Sequence, residues 1–163
     1  RVTRLEEYQR AATVAWYLHI RSEVRTTDFV IAALDAGRRI AIPYCEGQVL
    51  RWWHLRSVDD LAPGRWQILE PRLELRGRLD RHLEPHEIDL VVVPGVAFTE
   101  QGARLGNGGG FYDRFLPQTA ALRVAVAFDC QIVTELPTER FDRPMDLIVT
   151  ETRIIRPQRP PAD

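Results

Sequence analysis

The chain has 163 residues, of which 45% are hydrophobic and 28% are charged, and its formal net charge is -1. This composition is typical of a single globular domain, here predicted over residues 1–163 with a frayed tail at 156–163, and the near-neutral charge argues against nucleic-acid binding. No apolar run approaches the ~20 residues of a membrane helix, and no signal peptide opens the chain, so we expect a cytoplasmic protein that does not bind membranes. Cys45 and Cys130 lack CxxC spacing, which predicts two free thiols.

The first third of the chain predicts a strand–helix–strand unit. β-branched and aromatic residues over Ala12–Ile20 favour a buried strand. A helix is expected to begin at Thr26 or Thr27, since threonine is a common N-cap, and to end at Gly37. A second strand at Arg39–Cys45 should then pair in parallel with the first, in a right-handed unit. The apolar stripe of the helix consists of Phe29, Val30, Ala33 and Leu34.

The rest of the chain extends this sheet. Val49–Leu55 predicts a strand beside the second one, whereas the charged region that follows predicts an irregular surface segment in which Trp66 and Ile68 are tucked inward. The fold expected is α/β with a mostly parallel sheet, which binds ligands at the carboxyl ends of its strands. Later elements are strands at Asp89–Val93, Leu122–Phe128 and Asp146–Thr152, and a helix at Tyr112–Ala121.

A glycine-rich segment, residues 104–114, is the most distinctive part of the sequence, because four of the ten glycines fall within five positions. So dense a cluster of glycines loses much chain entropy when it becomes ordered. Such a cost indicates that backbone without side chains is required there, as it is where backbone N–H groups bind a phosphate. Both standard nucleotide motifs fail: Phe111 stands where the dinucleotide motif needs glycine, and the chain has no lysine for a P-loop. The alternative is a flexible surface hairpin. This glycine stretch reads Arg104-Leu105-Gly106-Asn107-Gly108-Gly109-Gly110-Phe111-Tyr112-Asp113-Arg114.

Further segments over residues 12–151 form one ordered pattern with the glycine stretch. They are Trp16-Tyr17 with Ser22–Thr26, Gly37–Pro43, Trp66–Pro71, Pro94–Phe98 with Gly102–Arg114, Leu136–Asp142, and Asp146–Glu151.

Together these segments resemble the 5-formyltetrahydrofolate cyclo-ligases, also called methenyltetrahydrofolate synthetases. The resemblance implies an ATP-dependent ring closure. ATP phosphorylates the formyl oxygen of 5-formyltetrahydrofolate, N10 attacks the activated carbon, and phosphate leaves to give 5,10-methenyltetrahydrofolate. It also implies a three-layer α/β/α architecture like that of ribose-5-phosphate isomerase A and the CoA transferases.

The resemblance also implies roles for the glycine stretch. Residues 104–112 would line ATP, and Asn107–Phe111 would also face the folate. Arg104 would supply positive charge to the phosphates, and Tyr112 would hydrogen-bond the transferring phosphate or the formyl group.

Four further residues receive roles in the same way, and each has an ordinary structural alternative. Glu23 would contact the pterin or formyl region, or be a solvated loop carboxylate. Asp113 and Asp142 would hold Mg²⁺. Alternatively, Asp113 would be an ordinary residue at a helix terminus, and Asp142 would be an ordinary turn residue. Trp66 would stack on the folate, or anchor its irregular segment in the core.

Two departures from the family pattern bear on activity. Family members begin with a basic K-x-x-x-R segment that grips ATP, and we expect this chain to lack it, which would weaken ATP binding by about one to two orders of magnitude. Asn107 also replaces an aromatic or basic residue. The alternative to the enzyme is therefore a weakly active or inactive folate- or nucleotide-binding member. We expect a monomer or a weak homo-oligomer.

Overall fold

The computed structural model describes residues 1–64, 67–139 and 142–158. Three helices and thirteen strands form its regular structure. They are α1 (Glu6–Arg10), β1 (Thr13–Ala15), α2 (Thr27–Asp35), β2 (Arg39–Glu46), β3 (Val49–Leu55), β4 (Leu61–Pro63), β5 (Leu69–Pro71), β6 (His82–Leu83), β7 (Leu90–Val93), β8 (Ala97–Thr99), β9 (Arg104–Leu105), α3 (Phe111–Phe115), β10 (Leu122–Val126), β11 (Ile132–Val133), β12 (Leu147–Val149) and β13 (Ile154–Ile155).

Eight of these strands form one mixed sheet in the order β13-β12-β10-β7-β1-β2-β3-β6. The five central strands, from β12 to β2, run parallel, and the outer strands pair antiparallel. The predicted mostly parallel sheet is therefore confirmed. β4 and β5 form a separate ribbon, and β8 pairs with β9 and β11 in a small third sheet. Within the described part of the chain, no helix is long and apolar enough to cross a membrane.

Helices cover both faces of the large sheet, because successive side chains of a strand point to opposite faces. In β7, Leu90 and Val92 belong to the core cluster that contains residues of α1 and α2. The alternating Val91 and Val93 belong to a second cluster, which contains Phe115 of α3. All four β7 side chains are buried, as expected for a strand covered on both faces. The structure is thus an α/β fold of three layers.

β1 is shorter than predicted, since only Thr13–Ala15 of the apolar run pair in the sheet. The chain then leaves the sheet as a buried loop held by the Thr26 hydroxyl. This hydroxyl donates to the Tyr17 carbonyl oxygen at 2.7 Å and accepts the His19 backbone N–H at 3.2 Å. Thr26 therefore precedes α2 without capping it through its side chain, contrary to the prediction.

Two other predictions were wrong in detail. The helix predicted over Tyr112–Ala121 ends at Phe115, because Pro117 in the following turn cannot donate a helical hydrogen bond. Phe29 is not buried by α2, since 49% of it is exposed. Near the chain's end, β13 pairs with β12 just before the predicted tail, and Arg156, the first residue of that tail, forms an ion pair with Glu7 at 2.7 Å. Residues 159–163 lie outside the described range.

Gly102 is the position in the fold where an added methyl group should be least tolerated. Its φ is +94°, and a Cβ would lie 2.7 Å from the Met145 carbonyl oxygen. We expect Gly102→Ala to destabilise the protein by about 2–3 kcal/mol, since a strained φ and a backbone clash add. Thermal unfolding measures this. Gly77→Ala is the control, because a Cβ there would meet no atom within 4 Å. Equal melting temperatures for the two variants would contradict the strain argument.

Candidate functional site

The loop after β1 and the glycine stretch meet at the carboxyl edge of the parallel strands. Asn107 Nδ2 donates to Glu23 Oε1 at 3.4 Å, across 84 positions of sequence. Glu23 Oε2 accepts the backbone N–H of Ile20 at 3.0 Å, which fixes the carboxylate against its own loop. The structure thus brings together two segments that the sequence placed at the same edge.

Glu23 does not lie in an ordinary solvated environment. Its side chain is half-buried, and this burial raises the pKa of its carboxyl group, although the Ile20 N–H, His19 and Asn107 each favour the charged form. A carboxylate kept in a position that disfavours its charge is a common feature of functional sites.

Tyr112 points a buried hydroxyl toward the same region. Within the described part of the chain, this hydroxyl has no hydrogen-bond partner. Burial raises its pKa, and the negative charge of Glu23 is the next largest cause, so the phenol stays protonated at neutral pH. By contrast, the buried Tyr17 hydroxyl donates to the Val24 carbonyl oxygen at 2.9 Å. Tyr112 therefore offers an unused donor, which normally finds an acceptor.

Arg104 supplies a buried positive charge beneath the glycine stretch. Its side chain is only 5% exposed and forms an ion pair with Asp113, whose side chain is 48% exposed. Its Nη1 donates to the Pro94 carbonyl oxygen at 3.3 Å, and its guanidinium lies 5.7 Å from the centre of the Tyr112 ring. A Cβ on Gly106 would lie 2.8 Å from this Nη1, so the bare backbone at Gly106 makes room for the guanidinium.

Arg114 holds the other end of the glycine stretch. Its Nη2 donates to the Gly109 carbonyl oxygen at 2.9 Å, and its Nε donates to the Gln48 carbonyl oxygen at 3.1 Å. Its guanidinium also lies 5.3 Å from the centre of the Phe111 ring. Gly110 adopts φ +64°, which favours glycine. No sequence pattern indicates this bracing role, because it depends on the β2–β3 turn folding back against α3.

The two predicted metal ligands are not joined by any contact among the described residues. Asp113 pairs with Arg104, while Asp142 Oδ2 accepts the Glu139 backbone N–H at 2.8 Å in a turn. In residues 1–64, 67–139 and 142–158, no group of three or more His, Cys, Asp or Glu side chains is placed to hold a metal ion. Two carboxylates nevertheless suit Mg²⁺, which commonly takes one or two carboxylates with phosphates and waters. Predicted Trp66 lies outside the described residues.

A largely apolar pocket of about 220 Å³ borders this region, at the ends of β1, β10 and β12. Trp16, Phe128 and the half-exposed Phe29 line it, which accounts for the exposure of Phe29. Val24, which directly follows Glu23, also lines the pocket. The pocket and the glycine stretch therefore both contact the loop after β1.

Neither cysteine forms a disulfide within the described part of the chain, as predicted. Cys130 is exposed, whereas Cys45 is half-buried, and its thiol contributes to raising the pKa of Tyr112. Sequence reasoning did not connect Cys45 or Tyr17 with the site. The strand alternation of β2 places Cys45 on the face that α3 covers, and that signal becomes usable only once the sheet order is known.

The fold and the candidate site define an α/β protein with a glycine-rich loop at the carboxyl edge of its parallel strands. The sequence pattern of the 5-formyltetrahydrofolate cyclo-ligase family matches residues 1–151. The chain belongs to this family.

Individual relatives agree with this assignment. The 5-formyltetrahydrofolate cyclo-ligase of Escherichia coli K12 is 34% identical over 151 residues, which cover 88% of this chain and 80% of the relative. A probable 5-formyltetrahydrofolate cyclo-ligase of Schizosaccharomyces pombe is 32% identical over 171 residues, which cover 95% of this chain and 82% of the relative.

Solved structures show the same fold. The NMR structure of 5,10-methenyltetrahydrofolate synthetase from Aquifex aeolicus matches with a TM-score of 0.83 and 32% identity, covering 99% of this chain and 79% of that one. A 5,10-methenyltetrahydrofolate synthetase from Mycoplasma pneumoniae matches with a TM-score of 0.68 at 23% identity, over 96% of this chain and 80% of that one. The latter supports the fold alone.

Proposed function

We propose that the chain catalyses the ATP-dependent cyclisation of 5-formyltetrahydrofolate to 5,10-methenyltetrahydrofolate, with release of ADP and phosphate. Family membership supports the reaction. The contact between Asn107 and Glu23 is the observation that supports a site at this edge of the sheet, because it joins the loop after β1 to the glycine stretch. This contact would hold a phosphate-binding backbone beside a carboxylate that faces the folate.

The glycine stretch would bind the triphosphate of ATP. Glycines 106, 108, 109 and 110 would let backbone N–H groups approach phosphate oxygens, and Arg104, whose guanidinium lies next to Gly106, would add a positive charge. Neutralisation of charge and positioning are the main requirements of phosphoryl transfer. α3 has only five residues, so we assign the phosphate contacts to the loop and Arg104 rather than to a helix dipole.

The folate would lie between Glu23 and the loop of residues 107–111. Its formyl oxygen attacks the γ-phosphorus of ATP, and ADP leaves. N10 then attacks the formyl carbon and loses its proton to solvent, the carbon–oxygen bond breaks, and the oxygen departs as part of inorganic phosphate. The product carries a positive charge over N5, the carbon and N10, and the Glu23 carboxylate would stabilise that charge as it develops.

Tyr112 and Arg104 would act on the reacting oxygens. The unused Tyr112 hydroxyl would donate to an oxygen of the formyl group or of the transferring phosphoryl group, which would also satisfy this buried donor. Asp113 and Asp142 would hold Mg²⁺ together with ATP oxygens. This ion, when bound, neutralises phosphate charge.

The reaction itself can be followed by the absorbance of the methenyl product after mixing the protein with Mg-ATP and 5-formyltetrahydrofolate. We expect product that forms only when ATP is present. Binding of both compounds without any product would instead support the inactive member of the family.

Glu23→Gln should lower the activity of the protein without lowering its stability. Burial raises the pKa of Glu23, so the Glu23 carboxyl group binds its proton more tightly in the folded state than in the unfolded state. The contribution of Glu23 to the free energy of unfolding therefore falls as the pH rises above the ordinary carboxyl range. The variant should therefore be at least as stable as the wild type at pH 7, with a kcat/KM about 100-fold lower.

Melting temperatures measured between pH 4 and pH 8 check this linkage. The stability of the variant relative to the wild type should increase with pH. A constant difference across that range would contradict the proposed environment of Glu23.

A further inference from the structure

The buried threonine that precedes α2 fastens the loop that carries Glu23. We propose that Thr26 is a positioning residue for the reaction, whose hydroxyl closes the loop after β1 and thereby fixes the Glu23 carboxylate in the site. This inference rests on the proposed function, because Glu23 is the group through which Thr26 would act.

The Thr26 residue joins the two ends of the loop. It is 1% exposed, and its hydroxyl donates to the Tyr17 carbonyl oxygen at 2.7 Å and accepts the His19 backbone N–H at 3.2 Å. In the opposite direction, the Thr26 backbone N–H donates to His19 Nδ1 at 3.3 Å. These hydrogen bonds hold the start of the loop against its end and form what we call the Thr26 clasp.

The Thr26 clasp encloses a strained turn that ends at Glu23. Arg21 adopts φ +49°, a left-handed conformation that is costly for a residue with a side chain. The Glu23 backbone N–H donates to the Ile20 carbonyl oxygen at 3.0 Å, and the Glu23 carboxylate accepts the Ile20 N–H at 3.0 Å. Glu23 is thus fixed to Ile20 through both its backbone and its side chain. Such a turn persists where the surrounding structure holds it.

Loss of the hydroxyl would release this arrangement. The Tyr17 carbonyl oxygen and the His19 N–H would each lose a buried partner, and the loop would open toward water to satisfy them. Glu23 would move with its turn, and its 3.4 Å contact with Asn107 is long enough for a small shift to break it. A displacement of about 1 Å in a reacting site can lower a rate by about 100-fold.

Thr26→Val tests the Thr26 clasp, because valine has the branched shape of threonine without the hydroxyl. We expect kcat/KM for 5-formyltetrahydrofolate to fall about tenfold, while the KM for ATP stays within about twofold of the wild-type value. Thr26→Ser keeps the hydroxyl, so its kcat/KM should remain within about twofold of the wild-type value.

Thr119→Val is the matched control at the opposite edge of the sheet. The Thr119 hydroxyl likewise donates to a backbone carbonyl oxygen, that of Pro85 at 2.8 Å, and accepts the Ala121 N–H at 3.1 Å, just before the amino end of β10. Both valine variants should lower the melting temperature by about 2–10 °C, but Thr119→Val should keep the wild-type kinetics. The inference is overturned if Thr26→Val keeps the wild-type kcat/KM, or if both valine variants lower it equally.

Combining Thr26→Val with Glu23→Gln shows whether Thr26 acts through Glu23. Once the carboxylate has been replaced, Thr26→Val should lower kcat/KM by no more than about twofold further. A further tenfold loss in this background would show that Thr26 acts by another route, which contradicts the positioning role.

A measurement without substrate separates this inference from the proposed reaction. NMR titration of the Glu23 carboxyl group in the wild-type protein should give a raised pKa, because the loop buries this group. In Thr26→Val the opened loop should admit water and lower the pKa toward its ordinary value, whereas Thr119→Val should leave it unchanged. An unaltered pKa of Glu23 in Thr26→Val would overturn the inference, while a wild-type protein that forms no methenyl product would count against the reaction alone.

Discussion

Asp113→Asn is expected to lower kcat by roughly two to three orders of magnitude while leaving the protein folded. The variant keeps the shape of the side chain but loses the charge that would hold Mg²⁺ beside the phosphates. Arg104 is only 5% exposed, but the asparagine amide oxygen can still accept its hydrogen bond, so loss of the ion pair should cost about 1–3 kcal/mol and leave the protein folded. Initial rates of methenyl formation and thermal unfolding report the two effects separately.

Asp28→Asn is a matched control for this variant, because Asp28 is also an aspartate in the first turn of a helix. It should leave both the rate and the melting temperature nearly unchanged. If Asp113→Asn kept the wild-type rate, Asp113 would have no part in the metal site. A large loss of stability would instead assign its charge to the fold.

Gly106→Ala is expected to raise the KM for ATP by about 10- to 100-fold with little change in stability. The new Cβ would lie 2.8 Å from Arg104 Nη1, which is the far end of a flexible side chain and can move away. The fold thus tolerates the change, but the guanidinium leaves the position in which it would meet the phosphates.

Gly77→Ala controls for the general effect of replacing glycine, since no atom lies within 4 Å of the added Cβ. We expect its KM for ATP to match that of the wild type. An unaltered KM for Gly106→Ala would show that Arg104 does not contact ATP.

Much of the sheet could be predicted from hydrophobic patterns alone. β3 was predicted with its observed ends, and the uninterrupted apolar run of β7 correctly indicated a strand buried on both faces. The prediction made β1 too long, because the apolar run that contains the strand continues into a buried loop. That loop is held by the hydrogen bond from the Thr26 hydroxyl to the Tyr17 carbonyl oxygen, which no local sequence pattern predicts.

The sequence could predict that two segments of the candidate site meet, but not the contacts that they make. The resemblance to the family singled out Glu23 and the glycine stretch, and the rule for parallel sheets placed them at one edge. The pairing of Arg104 with Asp113 and the bracing by Arg114 depend on how β9, α3 and the β2–β3 turn pack together. Such three-dimensional arrangements leave no periodic signal in the sequence.

The fate of the formyl oxygen tests the central claim, that the glycine stretch delivers the γ-phosphoryl group of ATP to the formyl group held beside Glu23. The substrate would carry ¹⁸O in its formyl group, and mass spectrometry would examine the inorganic phosphate after turnover with Mg-ATP. We predict one ¹⁸O atom in each phosphate released, because the formyl oxygen leaves bonded to phosphorus. Phosphate free of the label, with the ¹⁸O recovered in water, would contradict the account.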